Sequence, residues 1–128
     1  MTELMKRQAI ETLKLVLHAF HEKRFADISS IVSESEIENP EKFLTEFMQG
    51  TLELNGFDAI DEYGAPCSFR PDYEYSQLSI IEYKNKSGFT LEYEMTSGSE
   101  LADMVLQLEF LYTDNGEMKS VFKNTDPQ

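Results

Sequence analysis

Apolar and polar residues alternate through the second half of the chain with the period of a half-buried strand. Phe89, Leu91, Tyr93 and Met95 interleave with Thr90, Glu92, Glu94 and Thr96. From Tyr73 to Lys123 the pattern predicts four β-strands joined by three short turns. Asp114-Asn115-Gly116, as a three-residue loop with Gly116 left-handed, pairs Tyr112 with Met118, Phe110 with Ser120 and Leu108 with Phe122. A two-residue Asn-Gly loop would pair Tyr112 with Lys119 and mix the faces, because a one-residue slip reverses every side chain. Gly98-Ser99 as a two-residue turn sets Met95 opposite Ala102, Tyr93 opposite Met104 and Glu94 opposite Asp103. An odd-length loop over Lys84 to Gly88 sets Tyr83 by Phe89 and Ile81 by Leu91.

This register divides the sheet into two faces. Ser79, Ile81, Tyr83, Phe89, Leu91, Tyr93, Met95, Met104, Leu106, Leu108, Phe110, Tyr112, Met118 and Phe122 point inward. Thr90, Glu92, Glu94, Asp103, Val105, Gln107, Glu109, Leu111, Lys119, Val121 and Lys123 point outward.

The first half has helical periodicity. Ala9, Ile10, Leu13, Val16, Leu17 and Phe20 fall on one side of a helix over Met5 to Phe20. Phe25, Ile28 and Val32 suit a short second helix. A third runs from the N-cap Asn39 and Pro40 to the stop at Asn55-Gly56. Its apolar residues, Phe43, Leu44, Phe47, Met48, Thr51 and Leu54, are expected to face the core together. The expected fold is α+β: two or three N-terminal helices packed on one face of a four-stranded antiparallel meander. One domain spans 1–128, with a Pro- and Gly-punctuated loop from Gly64 to Asp72.

The run Leu13-Lys14-Leu15-Val16-Leu17-His18-Ala19-Phe20-His21-Glu22-Lys23-Arg24-Phe25-Ala26-Asp27-Ile28 resembles the opening of cone-shaped α+β domains of the nuclear transport factor two-like and cystatin-like kind. There a first helix ends in a charged turn and a short second helix follows. The layout of helices, Tyr63-Gly64, loop and meander is also similar to a family of small bacterial domains of unknown function. The resemblance implies a cone fold and assigns no functional residue.

Charge changes the picture most. Twenty-four acidic residues stand against eleven basic ones, a formal net charge of −13. Glu34 to Glu62 holds nine acidic residues with only Lys42 against them, and Glu92 to Met118 holds seven with no lysine or arginine. Nucleic acid and anionic membranes, which demand a positive surface, are excluded as partners. One reading of this charge is a solubilising coat. The alternative reading of the same uneven charge is a docking face for a basic protein. On the outward face Glu92, Glu94, Asp103, Val105, Glu109 and Val121 make a mixed acidic and apolar patch, suited to a cationic partner or a homodimer contact. The like-charged pair Glu94 and Asp103 would cost stability and marks the place.

Catalytic signatures are weak. His18 and His21 lie three residues apart and do not converge on the apolar stripe. No HExxH, cysteine pair or calcium loop accompanies them, so no metal or cofactor is expected. Cys67, the single cysteine, excludes an internal disulfide and fits a reducing compartment. No run of apolar residues approaches the roughly 20 needed to cross a bilayer, and Met1 to Arg24 lacks an apolar signal region, which indicates a cytoplasmic protein. The expected function is a non-enzymatic acidic protein-binding module, for example an immunity-type neutraliser of a basic, nuclease-type toxin. The alternative is a cone-fold pocket in which His21, Asp58, Tyr83, Tyr93 and Tyr112 bind or convert a small apolar molecule.

Overall fold

A computed structural model describes residues 2–65 and 77–127. Cys67, most of the Gly64 to Asp72 loop and the start of the first meander strand at Tyr73 lie outside them. The helices come first. α1 spans Glu3–His21, opened by Thr2, whose hydroxyl accepts the Met5 N–H at 3.1 Å. A 3-10 turn at Phe25–Asp27 leads into the short α2, Ile28–Ile31, and α3 spans Pro40–Asn55. Both ends of α3 follow their local chemistry: the Asn39 side chain accepts the Lys42 N–H, and Gly56 at φ 74° closes the helix in the left-handed region.

The fold is α+β, with a sheet of five strands rather than four, and mixed rather than purely antiparallel. Its order is β1-β5-β4-β3-β2, where β1 is Glu34–Ser35, β2 Leu78–Glu82, β3 Gly88–Ser97, β4 Glu100–Tyr112 and β5 Met118–Pro127. β1 runs parallel to β5, with Glu34 beside Val121 and Ser35 beside Phe122. Two residues are too few for a period to show, so this strand leaves no pattern in the sequence.

The β4–β5 hairpin follows the turn chemistry, with Tyr112 opposite Met118, Phe110 opposite Ser120 and Leu108 opposite Phe122. Gly116 stands at φ 82°, where a three-residue loop needs it. The other two registers differ from expectation. Between β2 and β3, Ile80 faces Leu91 and Glu82 faces Phe89. The loop has an even length: Tyr83 N–H donates to the Gly88 carbonyl at 3.0 Å, and Lys86 takes the left-handed conformation. The slip of one residue turns Ser79, Ile81 and Tyr83 outward, while Leu78 and Ile80 pack on the core.

Between β3 and β4 the Gly98-Ser99 turn pairs Ser97 with Glu100, but the register then shifts by two residues. Glu94 pairs with Val105 and Tyr93 with Leu106, so the Glu94–Asp103 pair does not form. Asp103 lies at φ 55° in a bulge of β4. A shift of two preserves the facing of every side chain beyond it, and Met104, Leu106, Leu108 and Phe110 remain in the core as expected.

The core joins Leu13, Val16, Leu17 and Phe20 of α1 and Leu44, Met48 and Leu52 of α3 to Phe89, Leu91, Met95, Leu108, Phe110 and Phe122 of the sheet, all nearly or fully buried. The helices thus cover one sheet face. α3 is rotated from its expected setting: Leu52 is buried, whereas Phe43 and Leu54 of the predicted core stripe are exposed.

Candidate functional site

The outward sheet face is built by alternation. Tyr83 follows β2, Thr90, Glu92 and Glu94 come from β3, Val105, Gln107 and Glu109 from β4, and Lys119, Val121 and Lys123 from β5. Among the described residues no helix lies over this face. Val105 and Val121 are nevertheless buried, at 7% and 5% exposure, outside the main core cluster. Long polar neighbours surround them, so the apolar part of the expected patch is shielded.

A row of polar contacts crosses the strands. The Tyr83 hydroxyl donates to the Glu109 carboxylate and lies 2.5 Å from the Thr90 hydroxyl. Burial and then the Glu109 carboxylate raise the Tyr83 pKa, since both disfavour the phenolate. Lys123 donates to Glu36 at 2.7 Å, and Lys119 donates to Glu34 at 2.9 Å. The hydrogen bond to Glu36 leads in raising the Lys123 pKa, with help from the charge of Glu109. Gln107 donates to Glu92 at 3.2 Å. Both lysines of the face are therefore engaged at its β1 end, while Glu92, Glu94 and Glu109 occupy the middle strands.

The residues of the expected pocket do not converge. Tyr83 is on the outward face because of the β2 slip. Tyr93 points inward at the opposite end of the sheet from Tyr112. Its hydroxyl accepts the Gly64 N–H and a Gln77 amide proton, each at 3.2 Å, and its ring lies 5.4 Å from that of Tyr63. Burial raises the pKa of Tyr93, and likewise that of Tyr112, whose ring tilts against Phe89 at 6.2 Å. His21 and Asp58 share an open hollow of about 390 Å³, which Asp61 and the Gly98 turn also line. His21 Nδ1 is held at 2.8 Å from the Ile60 carbonyl, and His18 Nδ1 lies 2.5 Å from Glu62 on the exposed surface.

Asp61 is a further residue of this end of the molecule. Its carboxylate accepts the Gly98 N–H at 2.9 Å, the Ser99 N–H at 2.8 Å and the Thr96 hydroxyl at 2.9 Å. An aspartate 35 or more residues from its partners leaves no local signal.

Among the described residues no three His, Cys, Asp or Glu side chains are placed to hold a metal ion, and no helix is long and apolar enough to cross a membrane. The architecture is that of an acidic helix-on-sheet domain, with one sheet face covered by helices and the other, among the described residues, by none. The chain belongs to the family described as Domain of unknown function (DUF7668), whose model matches residues 17–126. No curated protein and no solved structure matches it.

Proposed function

We propose that the protein is a non-enzymatic acidic binding module of the cytoplasm that holds a basic protein partner on the outward face of its sheet, as an immunity-type neutraliser would. One observation carries this. Among the described residues five carboxylates, Glu34, Glu36, Glu92, Glu94 and Glu109, share that face with two lysines, and both lysines are taken up by Glu34 and Glu36. The carboxylates of the middle strands take hydrogen bonds from neutral donors, Tyr83 on Glu109 and Gln107 on Glu92, and so keep their charge for a cationic surface. Complementary charge of this kind steers association and excludes acidic competitors. Strands hold these carboxylates at fixed spacing, which suits the guanidinium and ammonium groups that a nucleic-acid-binding protein presents to phosphates. The like-charged Glu94–Asp103 pair plays no part, since the bulge separates those residues.

The test is titration calorimetry against a basic protein encoded beside this one, across a salt series. The joint variant Glu92→Gln, Glu94→Gln, Glu109→Gln is expected to weaken binding at least about tenfold at low salt and to flatten its salt dependence. Unchanged affinity in that variant would remove the sheet face as the site.

A further inference from the structure

α3 carries more apolar surface than the core uses. Phe43, Phe47, Gly50 and Leu54 recur at i, i+4, i+7 and i+11, the spacing of one helix face. Phe43 is 41% exposed and Leu54 87%, while Phe47 between them is partly buried against the core and presents only its outer edge. The Phe43 and Phe47 rings stack 5.6 Å apart and nearly parallel, at 8°. They form a rigid apolar platform beside the core stripe of Leu44, Met48 and Leu52.

Gly50 sits midway along this platform. Glycine is the poorest helix former after proline, so an interior helical glycine calls for a reason. No internal one exists here. Gly50 has no positive φ, and a Cβ built on it meets nothing within 4 Å. Its effect is external: a missing side chain lets another backbone approach this face closely, because the interaxial distance of packed helices follows the side chains at the contact.

Charge selects the occupant. Glu46 and Glu53 run along one flank of the stripe, and Lys42 is the single basic residue of α3. A second copy crossing at Gly50 about a two-fold axis would set Phe47 against Leu54, but it would also bring Glu46 of one copy towards Glu53 of the other. With a net charge of −13 on each chain, self-pairing is opposed at close and long range. A basic helix satisfies both features of the surface.

We infer that this stripe docks a basic amphipathic helix, whose apolar residues rest on Phe43, Phe47 and Leu54, whose small residue crosses Gly50, and whose lysines or arginines meet Glu46 and Glu53. The surface is separate from the sheet face, and variants of one leave the other intact.

The probe is a fluorescent leucine–lysine amphipathic peptide with a central alanine, titrated by anisotropy against the full chain. Leu54→Ser and Gly50→Ala change no charge and are each expected to weaken binding by about tenfold. Gly50→Ala should at the same time raise Tm, which a glycine needed for the fold would not allow. Parent-like affinity in both variants, or loss only in the Glu92, Glu94 and Glu109 variant, would show attraction by charge alone and overturn the inference. So would a peptide-free dimer, seen by sedimentation, that Leu54→Ser dissolves. Failure confined to this stripe leaves the sheet face to stand or fall on its own titration.

Discussion

The Asp61 carboxylate receives the Ser99 backbone N–H at 2.8 Å, and with the Gly98 N–H it ties the segment after α3 to the turn between β3 and β4. The Asp61 N–H in turn donates to the Thr96 carbonyl at 2.8 Å, and Ser97 donates its hydroxyl to the Ala59 carbonyl. One side chain thus joins the helical layer to a hairpin. Asp61→Ala should cost about 2–3 kcal/mol, since it strands two turn N–H groups that a charged acceptor satisfied. Chemical denaturation measures this. Asp61→Asn, which keeps one acceptor oxygen, should fall between the two.

Alkali should unfold the protein through three of its tyrosines. Burial raises the pKa of Tyr83, Tyr93 and Tyr112 above the ordinary 10.0. Folding therefore favours their neutral forms, and the associated stability is fully present below pH 10 and lost as pH rises through the raised values. Tyr83, Tyr93 and Tyr112 should titrate late by phenolate absorbance, together with the loss of circular dichroism. Tyr83→Phe should remove one late phenolate and leave the core intact. Three ordinary titrations in the folded protein would contradict this.

Gly88→Ala should be far more damaging than its size suggests. A Cβ at Gly88 would lie 2.1 Å from the Phe110 carbonyl oxygen, and both are backbone-fixed on paired strands. Separating β3 from β4 at that point should cost about 3 kcal/mol or more. Thermal melting measures the loss, with Gly116→Ala, where nothing lies within 4 Å, separating steric contact from the strain of positive φ.

Asp103→Gly should stabilise. Asp103 occupies the left-handed region at φ 55° in the β4 bulge, a conformation costing L-residues about 1–2 kcal/mol. Glycine removes that cost but adds freedom to the unfolded chain, leaving a net gain of about 0.5–1 kcal/mol in denaturant titration.

The sequence revealed elements wherever one residue type answers to one geometry. Asn39, Pro40 and Gly56 bound α3, and Gly116 sets the register of Tyr112 on Met118. It was ambiguous where two solutions bury similar side chains. Ile80 and Ile81 are both apolar, so alternation does not choose between them, and Lys86 supplies a left-handed residue without the glycine that advertises one. The same ambiguity governs α3, whose apolar arc is wider than the core can cover, leaving Phe43 and Leu54 outside. Of the candidate site, the carboxylates Glu92, Glu94 and Glu109 were legible from strand period alone. Their links to Tyr83 and Gln107, and the pairing of Glu36 with Lys123, depend on a register and a two-residue strand that no pattern records.

The parallel pairing of β1 with β5 sets an order on the making of the molecule. Ser33 donates its N–H to Ser120, and Glu36 to Phe122, across 87 residues in the first case. While the chain is synthesised, the stretch around Glu34 has no strand to join until the segment around Ser120 to Phe122 has left the ribosome. Nascent α1 and α3 must therefore wait with their apolar faces unsealed until the β4–β5 hairpin has emerged and closed the sheet onto β1.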